Sequence, residues 1–321
     1  MKLKRQKLFK YLKYSALCLS LLLFTAAIII YPERYVNCCF QGFAMWAECV
    51  LPSLFPFMVI TLIFVKTGIA EKASLPLKKV AGKLNLPPAA GACLLLSLCS
   101  GYPAGSRVLS EFYENGTISQ ADCKKLSCLC STSGPLFIIG SVGYKMFQNK
   151  FLGVKILVAH ILAVTLSSLI IALFSKKSAP NNLKRAPADS NVLYNAFYGA
   201  VISVAVAGGF IAFFYTVAQF AADFNLLLPL EKFLNLFLSE SVSEALCTGL
   251  IEATTGCRAL AAISSDKLCA ALAGFLVTFG GNSILLQQLS YLIKAHVNPL
   301  KFVAVKLIQA AICFGFLLII A

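Results

Sequence analysis

PAAGACLLLSLCSGYPAG, residues 88–105, decides how this chain reads. The apolar run to Cys99 is too short to cross a membrane: at 1.5 Å per residue it covers about 18 Å of a core roughly 30 Å thick. It meets Ser100-Gly101-Tyr102-Pro103-Ala104-Gly105, which is hostile to continuous helix. A polar amphipathic stretch, 106–115, then leads to the turn dipeptide Asn115-Gly116. The simplest shape is a hairpin that enters the membrane and returns to the same side.

Composition fits that reading. The 321 residues are 59% hydrophobic and 13% charged, with mean hydropathy +0.82. Soluble domains are about 45–50% apolar and about 25% charged, so an ordinary cytosolic enzyme and a disordered chain are both excluded. Long unbroken apolar runs argue against a β-barrel, whose strands would alternate. The expected class is an all-α polytopic membrane protein. Its net charge of +15 sits at the ends of apolar runs, where it acts as a topology signal and a contact to anionic lipid. Nucleic acid is not an expected partner.

Moving outward, six basic residues between Lys2 and Lys13 precede the apolar run Ser15 to Ile30, which has no small-x-small cleavage site after it. Residues 1–31 are therefore expected to be an uncleaved anchor helix with a cytoplasmic N-terminus. Phe40 to Lys66 reads as a span kinked at Pro52 and Pro56, and residues 119–147 as one crossing helix broken at Ser131-Thr132-Ser133-Gly134-Pro135. Phe151 to Phe174 is an ordinary span, and 175–190 a basic linker.

The second half repeats the pattern. Asn195 to Phe220 is a span expected to be interrupted at Gly208-Gly209. Leu226 to Leu238 is a short interfacial helix. Residues 241–264 break at Glu252-Ala253-Thr254-Thr255-Gly256, 266–294 break at Gly280-Gly281-Asn282-Ser283, and the last span starts at Lys301. Gly105-x-Arg107 is matched by Gly256-x-Arg258, and Gly134-Pro135 by Gly280-Gly281. The expected units are 40–174 and 191–321. Counting crossings puts the 175–190 linker inside, the acidic 223–244 loop outside, and the 294–306 loop, with Lys294, Lys301 and Lys306, inside. The two units then have opposite orientation, as in many secondary transporters.

Broken helices within a membrane are tolerated where protein buries them or where they line a watery cavity. The candidate substrate-binding residues are accordingly those at the breaks: Gly101, Pro103, Gly105, Arg107, Ser131, Thr132, Ser133, Gly134, Pro135, Glu252, Thr254, Thr255, Gly256, Arg258, Gly280, Gly281, Asn282 and Ser283. Small residues there also serve close helix packing. An ionisable group at this depth is costly, so Glu252 is the main candidate for a cation or amine, with Arg107 and Arg258 balancing it or holding an anionic group; a structural ion pair, or arginines snorkelling to the interface, is the alternative. Glu48 is a weaker candidate of the same kind, and His160 reads as a packed helix residue. No nucleotide-binding, zinc or nucleophile-elbow motif occurs, so neither enzyme activity, a cofactor nor a metal is expected. The thirteen cysteines read as packing residues.

The words LPSLFPF (51–57), SGYPAG (100–105), TSGPLF (132–137), EATTGC (252–257) and FGGNS (279–283) together resemble the YlbJ family of sporulation integral membrane proteins, within the nucleoside-recognition or Gate-domain superfamily. The resemblance implies two Gate units, a bacterial cell-membrane location and a role in forming resistant spores. More distantly, Gate units resemble parts of concentrative nucleoside transporters and of a ferrous-iron transporter, which implies movement of a small solute. The expected partners are the lipid bilayer and an unidentified small solute, and a homo-oligomer is compatible with the sequence. A membrane scaffold needed for spore maturation is the rival reading.

Overall fold

The computed structural model describes residues 2–73, 75–83, 85–87, 89–174 and 191–321. The 175–190 linker lies outside these residues. Among them every regular element is helical: α1 (Lys2–Ile30), α2 (Pro32–Thr67), α3 (Ala90–Ser100), α4 (Ala104–Glu114), α5 (Gln120–Leu129), α6 (Phe137–Met146), α7 (Lys150–Leu173), α8 (Val192–Asp223), α9 (Leu228–Leu234), α10 (Glu240–Ile251), α11 (Ala253–Ile263), α12 (Lys267–Phe279), α13 (Gly281–Leu292) and α14 (Pro299–Ile320). Short turns of helix join α2 to α3. α6 and the stretch Trp46–Val50 of α2 are wound more widely, as π-helix.

Among the described residues, five helical stretches are long and apolar enough to cross a membrane: Pro32–Thr67, Lys150–Leu173, Val192–Asp223, Lys267–Ala295 and Pro299–Ile320. Their outer faces carry large exposed apolar side chains, such as Leu162, Leu166 and Ile170 on α7, Phe197 and Val201 on α8, and Leu307 and Ile308 on α14. A soluble protein does not leave such continuous apolar faces bare; lipid covers them. The protein is a multi-pass membrane protein.

The two halves use the same order of parts: a long helix (α2, α8), a two-helix hairpin (α3–α4, α10–α11), a broken pair (α5–α6, α12–α13) and a closing span (α7, α14). Packing follows this exchange. α2 touches α3 and α6 as α8 touches α10 and α13, and α4 packs on α13 as α11 packs on α6. α5 meets α7 and α14 as α12 meets α14 and α7. The exception is α6, which packs heavily on α7, where Gly143 and Gly153 bring the backbones together.

α2 and α8 lie side by side in opposite directions. Arg34 pairs with Asp223, Tyr215 donates to Gln41 at 2.8 Å, Trp46 packs on Gly208, and Phe55 meets Phe197. The expected interruption at Gly208-Gly209 is absent, and α8 runs unbroken from Val192 to Asp223. Gly208 serves packing instead: a Cβ there would come within 2.8 Å of the Trp46 ring. The last span also starts earlier than expected, at Pro299 with Asn298 as its cap. Lys306, counted above with the 294–306 loop, lies in the interior of this helix.

Candidate functional site

The first break is short. Ser100 ends α3, Gly101 turns the chain at φ +71°, and Pro103 caps α4. Gly101 sits directly against Gly134 of the second break, so a side chain at Gly101 would strike backbone. Gly105, in the first turn of α4, is equally tight against the Cys130 carbonyl and Ser97. Hydroxyls satisfy the exposed backbone: Ser97 Oγ donates to Cys130 O at 2.7 Å and shares a 2.8 Å bond with Thr132 Oγ1. Ser100 bonds Thr61 of α2 and donates to Phe57 O.

Two residues outside the break complete it. His160 of α7 is fully buried, and its Nε2 accepts from the Ser133 N–H at 3.0 Å. That acceptor role leaves the proton on Nδ1, which faces Thr278 Oγ1 at 2.9 Å. Lys306 of α14 donates to Ser131 O and to Tyr102 Oη, both at 2.9 Å. Pro135 is half-buried just before α6.

In the second-half hairpin, between α10 and α11, Glu252 alone departs from helix (φ −134°, ψ 108°). Thr254, Thr255 and Gly256 form the first turn of α11 and are not unwound. The Glu252 carboxylate, fully buried, accepts from Thr254 N at 3.2 Å, Thr255 N at 2.7 Å and Thr255 Oγ1 at 2.8 Å. It caps its own helix, where free N–H groups and the positive end of the helix dipole stabilise a negative charge. Gly280 and Gly281, both at positive φ, turn the chain between α12 and α13. Gly281 lies against the Gly249 and Ile251 carbonyls and the Ala253 N–H, which brings the two second-half breaks together.

The halves meet through Tyr102, whose hydroxyl donates to Thr278 O at 3.1 Å. Around this point lies a cavity of about 50 Å³ lined by Ser100, Tyr102, Ser133 and Gly134 from one half and Thr254, Ile284 and Gln287 from the other. α2 adds Val50, Ser53 and Leu54, and α8 adds Ala207 and Ile211. Gln287 is 3% exposed, and its Nε2 has no hydrogen-bond partner. In this conformation the cavity has room for a few waters.

The arginines lie elsewhere. Arg107 reaches α8, bonding Gly199 O at 2.8 Å and Ser203 Oγ, and pairs with Glu111 at 3.1 Å. Arg258 is exposed, in a polar recess with Gln41, Glu48 and Tyr215. Neither forms an ion pair with Glu252; Glu48 pairs with Lys145 at 3.5 Å. Asn282 is exposed, whereas Ser283 is buried.

Sequence reasoning missed Tyr102, Gln287, Thr278 and Lys306, and undervalued His160. The available signal was Lys306 itself: a lone lysine within the run FVAVKLIQAAICF, 302–314. The sequence count places it both in the basic 294–306 loop and in the last span, which starts at Lys301.

No family model matches the chain, and no solved structure does. The sporulation integral membrane protein YlbJ of Bacillus subtilis (strain 168) is 25% identical over 93% of this chain and 80% of that protein. The aligned region takes in all the interrupted helices described above, and that similarity supports a place for the chain among YlbJ-like integral membrane proteins.

Proposed function

We propose that the protein moves a small polar solute across a bacterial cell membrane during spore formation, acting as a carrier and not as an enzyme. One observation carries the reading: residues of both hairpins and both broken helices line one cavity, and one of the lining residues, Gln287, carries a buried amide nitrogen, Nε2, without a partner. Interrupted helices converging on a polar cavity are the usual parts of a transporter site, and a buried donor without a partner is what a ligand oxygen or a water would satisfy.

The carrier is two inverted Gate-like repeats, 40–174 and 191–321. The exchange of packing partners between the halves supports this, as does the antiparallel pairing of α2 with α8. Equivalent helices related by an axis along the membrane normal would run parallel; antiparallel ones call for an axis in the membrane plane. The N-terminus is cytoplasmic, on the basic residues that precede the first apolar run. The size of the cavity favours an ion or a very small solute in the closed state. A nucleoside-sized molecule, which needs a pocket of about 300 Å³ or more, requires the halves to part.

The scaffold reading has one observation in its favour: almost every group at the breaks other than Gln287 Nε2 and Ser131 Oγ is satisfied internally. Water access separates the two. With the native cysteines replaced, a cysteine at Gln287 should react with a small aqueous thiol reagent from one side of the membrane. Complete protection of that cysteine from both sides would leave a static scaffold. In a spore-forming host dependent on this protein, Gln287→Leu should abolish resistant spores while the protein still inserts.

A further inference from the structure

Lys306 is fully enclosed within α14. Lysine is almost never fully buried unless it is paired, yet among the described residues no carboxylate lies within ion-pair distance of it. The ammonium is compensated by dipoles: it donates to Ser131 O, an unwound carbonyl just past the C-terminal end of α5, and to Tyr102 Oη, and it lies 5.1 Å from the centre of the Tyr102 ring. Unwound carbonyls and half-helix C-terminal ends are where carriers hold a coupling cation. Here a tethered cation occupies such a place.

The titratable groups around it are few. α5 presents Cys128, α7 presents His160, α14 itself presents Cys313, and the first break presents Tyr102. α12 contributes Thr278, which does not titrate. Tyr102 links the lysine to the cavity, because it is one of the residues that line that space, and its hydroxyl donates to Thr278 O. Lys306, Tyr102 and Thr278 O thus form a chain from α14, through the first-half break, to the end of α12.

We propose that Lys306 is the proton-carrying site of the solute cycle, exchanging its proton with the cavity through the Tyr102 hydroxyl. The proposal rests on the carrier reading. In the closed arrangement the amine is charged. On release, one Nζ–H proton passes to Tyr102 Oη as the original Tyr102 proton passes to a water in the cavity. A neutral amine, a neutral phenol and a protonated water result; reloading runs in reverse. While Tyr102 donates into the cavity it cannot donate to Thr278 O, so one of the bonds that join the two halves is lost at the same moment. Proton release and loosening of the contact are one event.

Two measurements test this. In the first, full-length protein carrying ¹⁵N-lysine is placed in lipid nanodiscs and its Nζ resonances are followed from pH 5 to pH 10. One resonance, absent from K306R, should convert from ammonium to amine within that range while ordinary lysines stay largely charged, and its midpoint should shift in Tyr102→Phe. A Lys306 resonance that keeps one form throughout overturns the proposal, and this test needs no cysteine replacement. In the second, a cysteine at Ser53, beside the cavity, is labelled with a membrane-impermeant maleimide on a cysteine-free background. The labelling rate, corrected for thiolate fraction, should change at least threefold with pH when Lys306 is present and stay constant in K306R, whose guanidinium holds its proton. An equal pH response in K306R overturns the role of Lys306 and leaves the carrier reading standing. Protection at every pH and from both sides overturns the carrier reading itself.

Discussion

The breaks of the first half and those of the second solve one problem by different means. In the first, backbone left unpaired near Ser131–Gly134 is held by side chains brought from far along the chain: Lys306, His160 and Ser97. In the second, Glu252 caps the helix that follows it, and two positive-φ glycines seat the chain on neighbouring backbone. The first arrangement depends on α7 and α14 being docked. The second is assembled from adjacent residues and is rigid by construction. A carrier in which one face adapts while the other holds its shape would be divided in this way.

The strongest way to break the comparison is at Gly101. It has φ +71° and lies against Gly134, so a Cβ there meets backbone that cannot rotate away. Gly101→Ala should cost about 3 kcal/mol or more, combining left-handed strain with overpacking. Thermal unfolding of the detergent-purified protein should show a large drop or a failure to fold. Gly281→Ala should do the same in the second half, because rigid backbone surrounds both positions. A tolerated Gly101→Ala would mean that the first break is looser than its packing.

A sharper contrast comes from the two buried ionisable groups. Glu252→Ala removes a cap and leaves the Thr254 and Thr255 N–H groups buried and unpaired, a loss of about 1–3 kcal/mol. Lys306→Met keeps the length of the side chain and removes a buried charge that has no counter-ion. Holding an unpaired ion in the interior costs several kcal/mol, more than the loss of about 1–3 kcal/mol from leaving the buried Ser131 carbonyl without a donor. Melting temperatures should therefore move in opposite directions, while both variants lose function if the carrier reading holds. A destabilised Lys306→Met would show that the lysine is chiefly a strut for the Ser131 carbonyl.

These pairs also show what the sequence could and could not tell. The hairpins, the breaks and the closing spans were legible because Gly, Pro and short polar residues interrupt apolar runs too short to cross alone, as at 88–105 and 279–283. The tips of the hairpins were legible as positions but not as chemistry. Glu252 looked like a charge in need of an arginine, and it is satisfied by N–H groups two and three residues along. Arg107 looked like its counter-ion, and it holds α8 instead. Gly208-Gly209 looked like a break, although an indole ring fills the groove that it leaves. Long-range partners such as His160 with Ser133, or Lys306 with Ser131, depend on how helices dock, which no local pattern encodes.

A smaller effect is expected at Arg107. Its guanidinium is about one-fifth exposed and makes three contacts on α8 and Glu111. Arg107→Gln should cost about 1 kcal/mol, more than a bare surface pair because a backbone carbonyl and a hydroxyl also lose their donor. Because none of those contacts reaches the cavity, spore formation should fall only as far as protein abundance falls. A loss of function with normal abundance would bring Arg107 back into the solute path.

The smallest effect is expected at Asn282, and it tests where the second break ends. Asn282 follows Gly281 directly and shares the FGGNS stretch with Ser283, so by sequence the two are equal candidates. The helix separates them: with about 100° between successive residues, Ser283 turns inward and is 1% exposed, while Asn282 turns outward and is exposed. Asn282→Ala removes a polar side chain that makes no contact with the cavity, so stability should change by no more than about 0.5 kcal/mol. Function in the spore assay should be unchanged. Ser283→Val on the neighbouring residue should cost more, because it puts a branched side chain where a small buried hydroxyl sits. If Asn282→Ala alone removed function at normal stability, the outer face of α13 would be part of the pathway, and the cavity between the halves would be only its inner end.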